Sequence, residues 1–275
     1  MTKRVVAIHD ISCFGRCSLT VALPILSNAG INCTVLPTAI LSTNTGGLGN
    51  FTYRDLTEDI LPVARHWLTL GLTFDAIYSG FLGSTEQVVL LEGFIEMYKS
   101  TNTFVLVDPV MGDDGKLYST FSPDFPEEMQ KLCNFADLIT PNMTEAALLT
   151  GTKYRRGPYG YDYVEGLIKD LANLTKGGKV VLTGVHFNEN ELGAAVYEDC
   201  KLSYFMSEKI PATFPGTGDV FASVLLGKLM NGFSLAASTQ IAVDFVSRCI
   251  KRTHENGSDP RFGIEFEAEL LTSRL

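Results

Sequence analysis

Short apolar runs, each cut off by a polar residue and separated from the next by a helical pattern, constrain this chain more than any other feature. Phe104-Val105-Leu106-Val107 is unbroken and ends at Asp108-Pro109, and residues 138–140 and 179–182 repeat the theme; residues 3–8, 31–36 and 74–78 also read as strands. Strands that lack polar alternation are covered on both faces, as in a parallel sheet between helices. Residues 18–29, closed by Gly30, read as a helix between the first two runs, giving a β-α-β opening. Ser84-Thr85-Glu86-Gln87 reads as a capping box opening a helix to about Lys99. Residues 54–70 are helical in pattern but contain Pro62, where a kink or break is expected. Past Gly193, residues 194–197 and 202–206 flank Glu198-Asp199-Cys200-Lys201, a hairpin turn that makes an antiparallel edge, and helices over 235–252 and about 265–271 close the chain. The predicted fold is α/β: an open, mostly parallel central sheet with helices on both faces, in one domain spanning residues 1–275.

A chain of 275 residues with 45% hydrophobic and 19% charged residues has ample material for a core and does not read as disordered. The formal charge of −9 argues against nucleic acid as a partner and leaves any anionic ligand to local donors. After Met1-Thr2-Lys3-Arg4 only Val5 to Ile8 are apolar before His9 and Asp10, too short a run for a leader or membrane segment, so a cytoplasmic location is expected. The six cysteines are scattered without a Cys-x-x-Cys pair and suggest structural thiols.

In an open α/β sheet, residues at the carboxyl ends of the strands converge on one crevice. Here they are Asp10, Ser79-Gly80, Asp108, Thr140-Pro141-Asn142 and Thr183-Gly184, joined by a polar loop over 38–50 that contains Thr45. Pro215-Gly216-Thr217-Gly218-Asp219 precedes the apolar run 220–230. Its glycines and the unpaired amides of a helix start suit an anion, phosphate first. A carboxylate in that place is awkward for binding alone, but it suits an acceptor of a proton from an attacking hydroxyl. The plain alternative is a turn with an acid favoured by the helix dipole. Asp108 reads equally as a turn residue, and Asn142-Met143-Thr144-Glu145 as a capping box; a carboxylate in that first turn could also face Mg²⁺. There is no Gly-x-x-x-x-Gly-Lys-Ser/Thr loop to hold phosphate instead.

Ser79 to Gln87, Asp108-Pro109-Val110-Met111-Gly112, Thr140 to Glu145 and Gly216 to Asp219 occur in the order and at the intervals of pyridoxal kinases, and the chain resembles that branch of the ribokinase-like superfamily over nearly its whole length. The resemblance implies a homodimer that transfers the γ-phosphoryl group of ATP to the 5′-hydroxyl of a B6 vitamer (pyridoxal, pyridoxine or pyridoxamine). It makes Asp219 the base, with the amides of Gly216, Thr217 and Gly218 receiving the moving charge. Asp108 and Glu145 would stand near Mg²⁺ and the ATP phosphates, Thr140 and Thr183 near the nucleotide, Thr45 at the pyridine ring and Phe81 over its face; a monovalent cation can accompany these. Many relatives have Gln-Ser where this chain has His9-Asp10-Ile11-Ser12, so the ring contact falls to Asp10 or Ser12, and a lysine found in some relatives is replaced by Thr183. His9 itself reads first as a strand-end histidine with its nitrogens satisfied. The rival readings are a hydroxymethylpyrimidine kinase, whose glycine-rich opening Ser12 to Cys17 matches poorly, and a carrier that binds vitamer or nucleotide without catalysis, which has no use for Asp219.

Overall fold

Each run becomes a strand, and the central ones, at residues 76–79, 104–107 and 138–139, find cover on both faces. The computed structural model describes residues 2–272. In chain order its elements are β1 (Arg4–Ser12), α1 (Leu19–Asn28), β2 (Asn32–Leu41), β3 (Tyr53–Asp55), α2 (Thr57–Thr69), β4 (Ala76–Ser79), α3 (Thr85–Tyr98) and β5 (Phe104–Val107). A small hairpin of β6 (Gly112–Asp113) and β7 (Lys116–Leu117) follows, then α4 (Phe125–Cys133), β8 (Leu138–Ile139), α5 (Met143–Thr150), α6 (Tyr161–Asn173) and β9 (Lys179–Val185). The last elements are β10 (Glu191–Glu198), β11 (Lys201–Glu208), α7 (Thr217–Met230), α8 (Leu235–Glu255) and α9 (Glu267–Thr272).

The main sheet has nine strands in the order β11-β10-β9-β8-β5-β4-β1-β2-β3. The six from β9 to β2 are parallel, and the two edges are completed by antiparallel pairings, β10 with β9, β11 with β10 and β3 with β2. Alternate residues feed opposite cores: Val6 and Ile8 of β1 join one with α2 to α6, while Val5 and Ala7 join the other with α1, α7 and α8. Helix α7 is buried from Val220 through Lys228, because it lies between the sheet and its helical neighbours. Each Val, Leu or Phe fully buried there contributes roughly 1.5–3 kcal/mol, so the helix that starts at the glycine loop is fixed by packing along its length. Among the described residues no helix is long and apolar enough to cross a membrane.

The structure departs from the sequence-based expectations mostly at element ends. Strand β2 runs on to Leu41, passing through Pro37 where the pairing with β1 shifts register, a place where a residue without an N–H is tolerated; the polar loop therefore begins after Leu41. The helix expected from Arg54 starts at Thr57, because residues 53–55 add an edge strand to β2. Pro62 does not break that helix. It and Glu58, whose carbonyl loses its in-helix donor, are both exposed, so water can serve instead. At the expected capping box, Ser84 accepts from the Gln87 amide, but the Gln87 side chain accepts from Gly83 and donates to the Thr38 carbonyl and the Thr57 hydroxyl. The 198–201 turn forms as expected, with Asp199 and Cys200 both at positive φ as a two-residue hairpin turn requires.

Candidate active site

The carboxyl ends of β1, β4, β5, β8 and β9 and the start of α7 surround a cleft of about 810 Å³. Gly216 has φ 77°, and a Cβ there would lie 1.9 Å from the Arg16 carbonyl oxygen, so both the conformation and the space demand glycine. The first hydrogen bond of α7 is Val220 N–H to the Gly216 carbonyl. The amides of Thr217, Gly218 and Asp219 therefore precede the in-helix ladder, in the arrangement that attracts an anion.

Asp219 sits in that first turn with its Oδ2 accepting the Ser18 amide at 2.8 Å. Ser18 has φ 57°, rare outside glycine, and this strained backbone aims its amide at Asp219. The Ser18 hydroxyl, instead of capping α1, donates to Asp10 Oδ1 at 2.5 Å, and Ser12 donates to Asp10 Oδ2 at 3.0 Å. Asp10 and Ser12, the alternatives for the ring contact, are thus linked to each other on the cleft wall. Burial pushes the Asp219 carboxyl up to about 7, the Ser18 amide offsetting part of this and the charge of Asp10 adding to it.

Asp108 follows β5, and burial together with the charge of Asp219 pushes its carboxyl up to about 8. Glu145 is both cap and site residue: its Oε2 accepts the Asn142 amide and Asn142 accepts the Glu145 amide, while its Oε1 takes the Met111 amide at 3.1 Å. Burial, and then the charge of Asp108, raises its carboxyl well above the ordinary range. Thr140, Thr183, Thr45 and Phe81 all line the same cleft. The Thr183 hydroxyl donates to the Pro141 carbonyl, and the Phe81 ring leans on Phe121 with centroids 5.5 Å apart.

His9 differs from its expectation. It is fully buried, and neither ring nitrogen has a hydrogen-bond partner; Nδ1 lies 3.8 Å from Asp219 Oδ1. The strand end turns its ring into the layer beneath Asp219, where burial pushes it down to about 3 and keeps it neutral.

Several wall residues carry no signal in the sequence. Ser18 has only the pattern of a helix start, and Val243, Val246, Ser247 and Ile250 of α8 carry no motif at all. Asp113 and Tyr118 reach the cleft from the small hairpin, which no periodicity marks. Together the lining residues include Asp10, Asp108, Asp113, Glu145, Glu208 and Asp219, and, among the described residues, no lysine, arginine or histidine. The donors offered to an anion are backbone amides. Residues distant in sequence hold two of the loops beside the cleft, since Asn44 Nδ2 donates to the Arg261 carbonyl and Arg16 pairs with Glu267 at 2.7 Å.

A helix start with free amides suited to an anion, beside a partly buried carboxylate at the carboxyl ends of a mostly parallel sheet, is the architecture of a ribokinase-like small-molecule kinase. The chain belongs to the phosphomethylpyrimidine kinase family, whose sequence model matches residues 23–261. It is 31% identical over 224 residues to the pyridoxal kinase of Arabidopsis thaliana, a match covering 74% of this chain and 67% of the plant protein. Among solved structures, it superposes on pyridoxal kinase from Lactobacillus plantarum with a TM-score of 0.91 at 31% identity, covering 99% of this chain and 96% of that one. A Bacteroides thetaiotaomicron protein, provisionally called a phosphomethylpyrimidine kinase and crystallised with pyridoxal, matches with a TM-score of 0.93 at 34% identity over 100% of this chain and 96% of that one.

Proposed function

We propose that this protein transfers the γ-phosphoryl group of ATP to the 5′-hydroxyl of a B6 vitamer. The observation that carries the reading is Asp219: a partly buried carboxylate, anchored at one oxygen by the Ser18 amide, standing in the same helical turn as the amides that would receive a phosphoryl group. Asp219 takes the proton of the hydroxyl as its oxygen bonds to phosphorus and ADP leaves. The amides of Gly216, Thr217 and Gly218 hold the charge of the moving group without rearranging, and a single such donor is typically worth roughly 10²–10³ in kcat. Phe81 covers the ring face, Thr45 and the linked Asp10 and Ser12 meet its polar edge, and Thr140 and Thr183 meet the nucleotide.

Asp108 and Glu145 fit Mg²⁺. They are close enough for the charge of one to raise the other, and no cationic side chain among the described lining residues balances them. Mg²⁺ takes few carboxylates and keeps several waters, so these two side chains suffice beside phosphate oxygens; when bound, it supplies the positive charge that this wall lacks. We also read the protein as a cytoplasmic homodimer, on the resemblance alone, which light scattering on the purified chain would test.

The family description favours one second reading, a hydroxymethylpyrimidine as the acceptor. Incubation with Mg-ATP and each vitamer or hydroxymethylpyrimidine, followed by mass spectrometry, separates them. A gain of one phosphoryl group on a vitamer supports the first reading; a gain on hydroxymethylpyrimidine alone replaces it, and no gain on either leaves a carrier.

A further inference from the structure

His9 has no part in the chemistry above, yet its surroundings are built for it. The ring lies at the carboxyl end of β1, edge-on to Tyr78 with centroids 4.4 Å apart, and both nitrogens are buried without a partner. Buried polar groups are seldom left unpaired, and an unpaired one calls for an explanation. Gly80 supplies the room: a Cβ at that position would lie 2.1 Å from Nδ1 and 2.3 Å from Cε1 of His9. Gly80 is not in the left-handed region, so the imidazole, and not the backbone, requires glycine there.

The ring's nearest acidic neighbour is Asp219, whose Oδ1 lies 3.8 Å from Nδ1. The other carboxylate oxygen already accepts the Ser18 amide at 2.8 Å. A carboxylate held at one oxygen still turns about its Cβ–Cγ bond, whereas one held at both has a fixed plane. A neutral imidazole protonated on Nδ1 is a donor there, and an approach of about 1 Å brings the pair to ordinary hydrogen-bond distance.

We propose that His9 is a positioning residue for Asp219: its Nδ1–H closes onto Oδ1 and, with the Ser18 amide on Oδ2, fixes the plane in which the carboxylate meets the substrate hydroxyl. The inference rests on Asp219 being the base. Misplacing a reacting group by about 1 Å can cost on the order of 100-fold in rate, so the effect falls on kcat rather than on binding.

The test compares His9→Met, which has similar bulk but no N–H, with His9→Gln, which keeps a donor, and with Gly80→Ala, which displaces the ring from outside. Steady-state kinetics with vitamer and Mg-ATP are read beside melting temperature. His9→Met and Gly80→Ala are expected to lower kcat by about 10-fold to 100-fold with KM within about 2-fold, and Gln to recover most of the loss. In an Asp219→Asn background His9→Met is expected to add nothing, because the two act as one unit. Parental kcat in His9→Met, an equal loss in the Gln variant, or an undiminished loss in the Asn background overturns the proposal. Nitrogen-15 spectra of histidine-labelled protein give a readout free of turnover: an Nδ1-bound proton whose resonance moves on Asp219→Asn is expected, and an Nε2-protonated His9 refutes the pairing. If the parent protein phosphorylates neither acceptor, the functional reading fails first, while the spectra still judge the contact.

Discussion

Asp219→Asn is expected to make the protein more stable and almost inactive, and both effects have one source. Burial holds the carboxyl at about 7 against an ordinary 3.8. Because the folded value lies above the unfolded one, the folded protein binds the proton more tightly, and ionising Asp219 costs stability. The cost is absent below about pH 4, grows between about pH 4 and 7, and is complete above. A gap of about 3 pH units corresponds to about 4 kcal/mol. That figure is a ceiling, because 14% of the side chain is open to water, which relieves part of the penalty. Asparagine keeps an acceptor for the Ser18 amide and carries no charge. Urea unfolding should therefore find the variant close to the parent at pH 4 and more stable by a few kcal/mol at pH 8, which at roughly 2–4 °C per kcal/mol is a rise in Tm of about 5–15 °C. Turnover with Mg-ATP should fall by about 10²–10⁴, the usual worth of a general base. A variant equally stabilised at both pH values would refute the argument from burial, and one that keeps its turnover would refute Asp219 as the base.

With the base ionising at about 7, kcat/KM in the parent should fall about tenfold per pH unit on the acid side of neutrality, and a flat profile from pH 5 to 8 would contradict it. Gly216→Ala should cost at least about 1 kcal/mol for the left-handed backbone, more for the 1.9 Å approach to the Arg16 carbonyl, and should lower kcat by about 10²-fold as the amides move; melting and kinetics check both. Chelating divalent cations should weaken ATP binding by at least about 100-fold, because a cleft lined with carboxylates repels free ATP; calorimetry showing equal affinity with and without EDTA would count against the Asp108–Glu145 assignment.

The layered sheet was legible in the sequence because unbroken apolar strands and helical periodicity are local signals, as at Phe104–Val107, where expected and observed bounds coincide. Edges were less legible. Residues 53–55 form a strand only because β2 extends far enough to pair with them, and Pro62 sits in a helix whose unpaired carbonyl faces water. At the site, motif residues on strand ends and helix starts were visible and converge in the cleft. Ser18 was not, since its value lies in a φ of 57° that no residue pattern announces. A lone histidine at a strand end is usually satisfied, and only the neighbours of His9 in space, Gly80 and Asp219, distinguish it. Glu145 forms the capping box and also lines the cleft, so the cap leaves it within reach of the site.

The hydrogen bond from the Ser18 amide to Asp219 joins residues 201 apart, and the bond from Asn44 to the Arg261 carbonyl joins residues 217 apart. During synthesis, strands β1, β2, β4 and β5 can pair while α7 is still to come, but the anion-binding turn has no acid partner wall until both ends of the chain meet. Contacts of such separation form late, because loop closure must precede them. The cleft is thus expected to be completed after the strands that support it, since its walls are drawn from both ends of the chain.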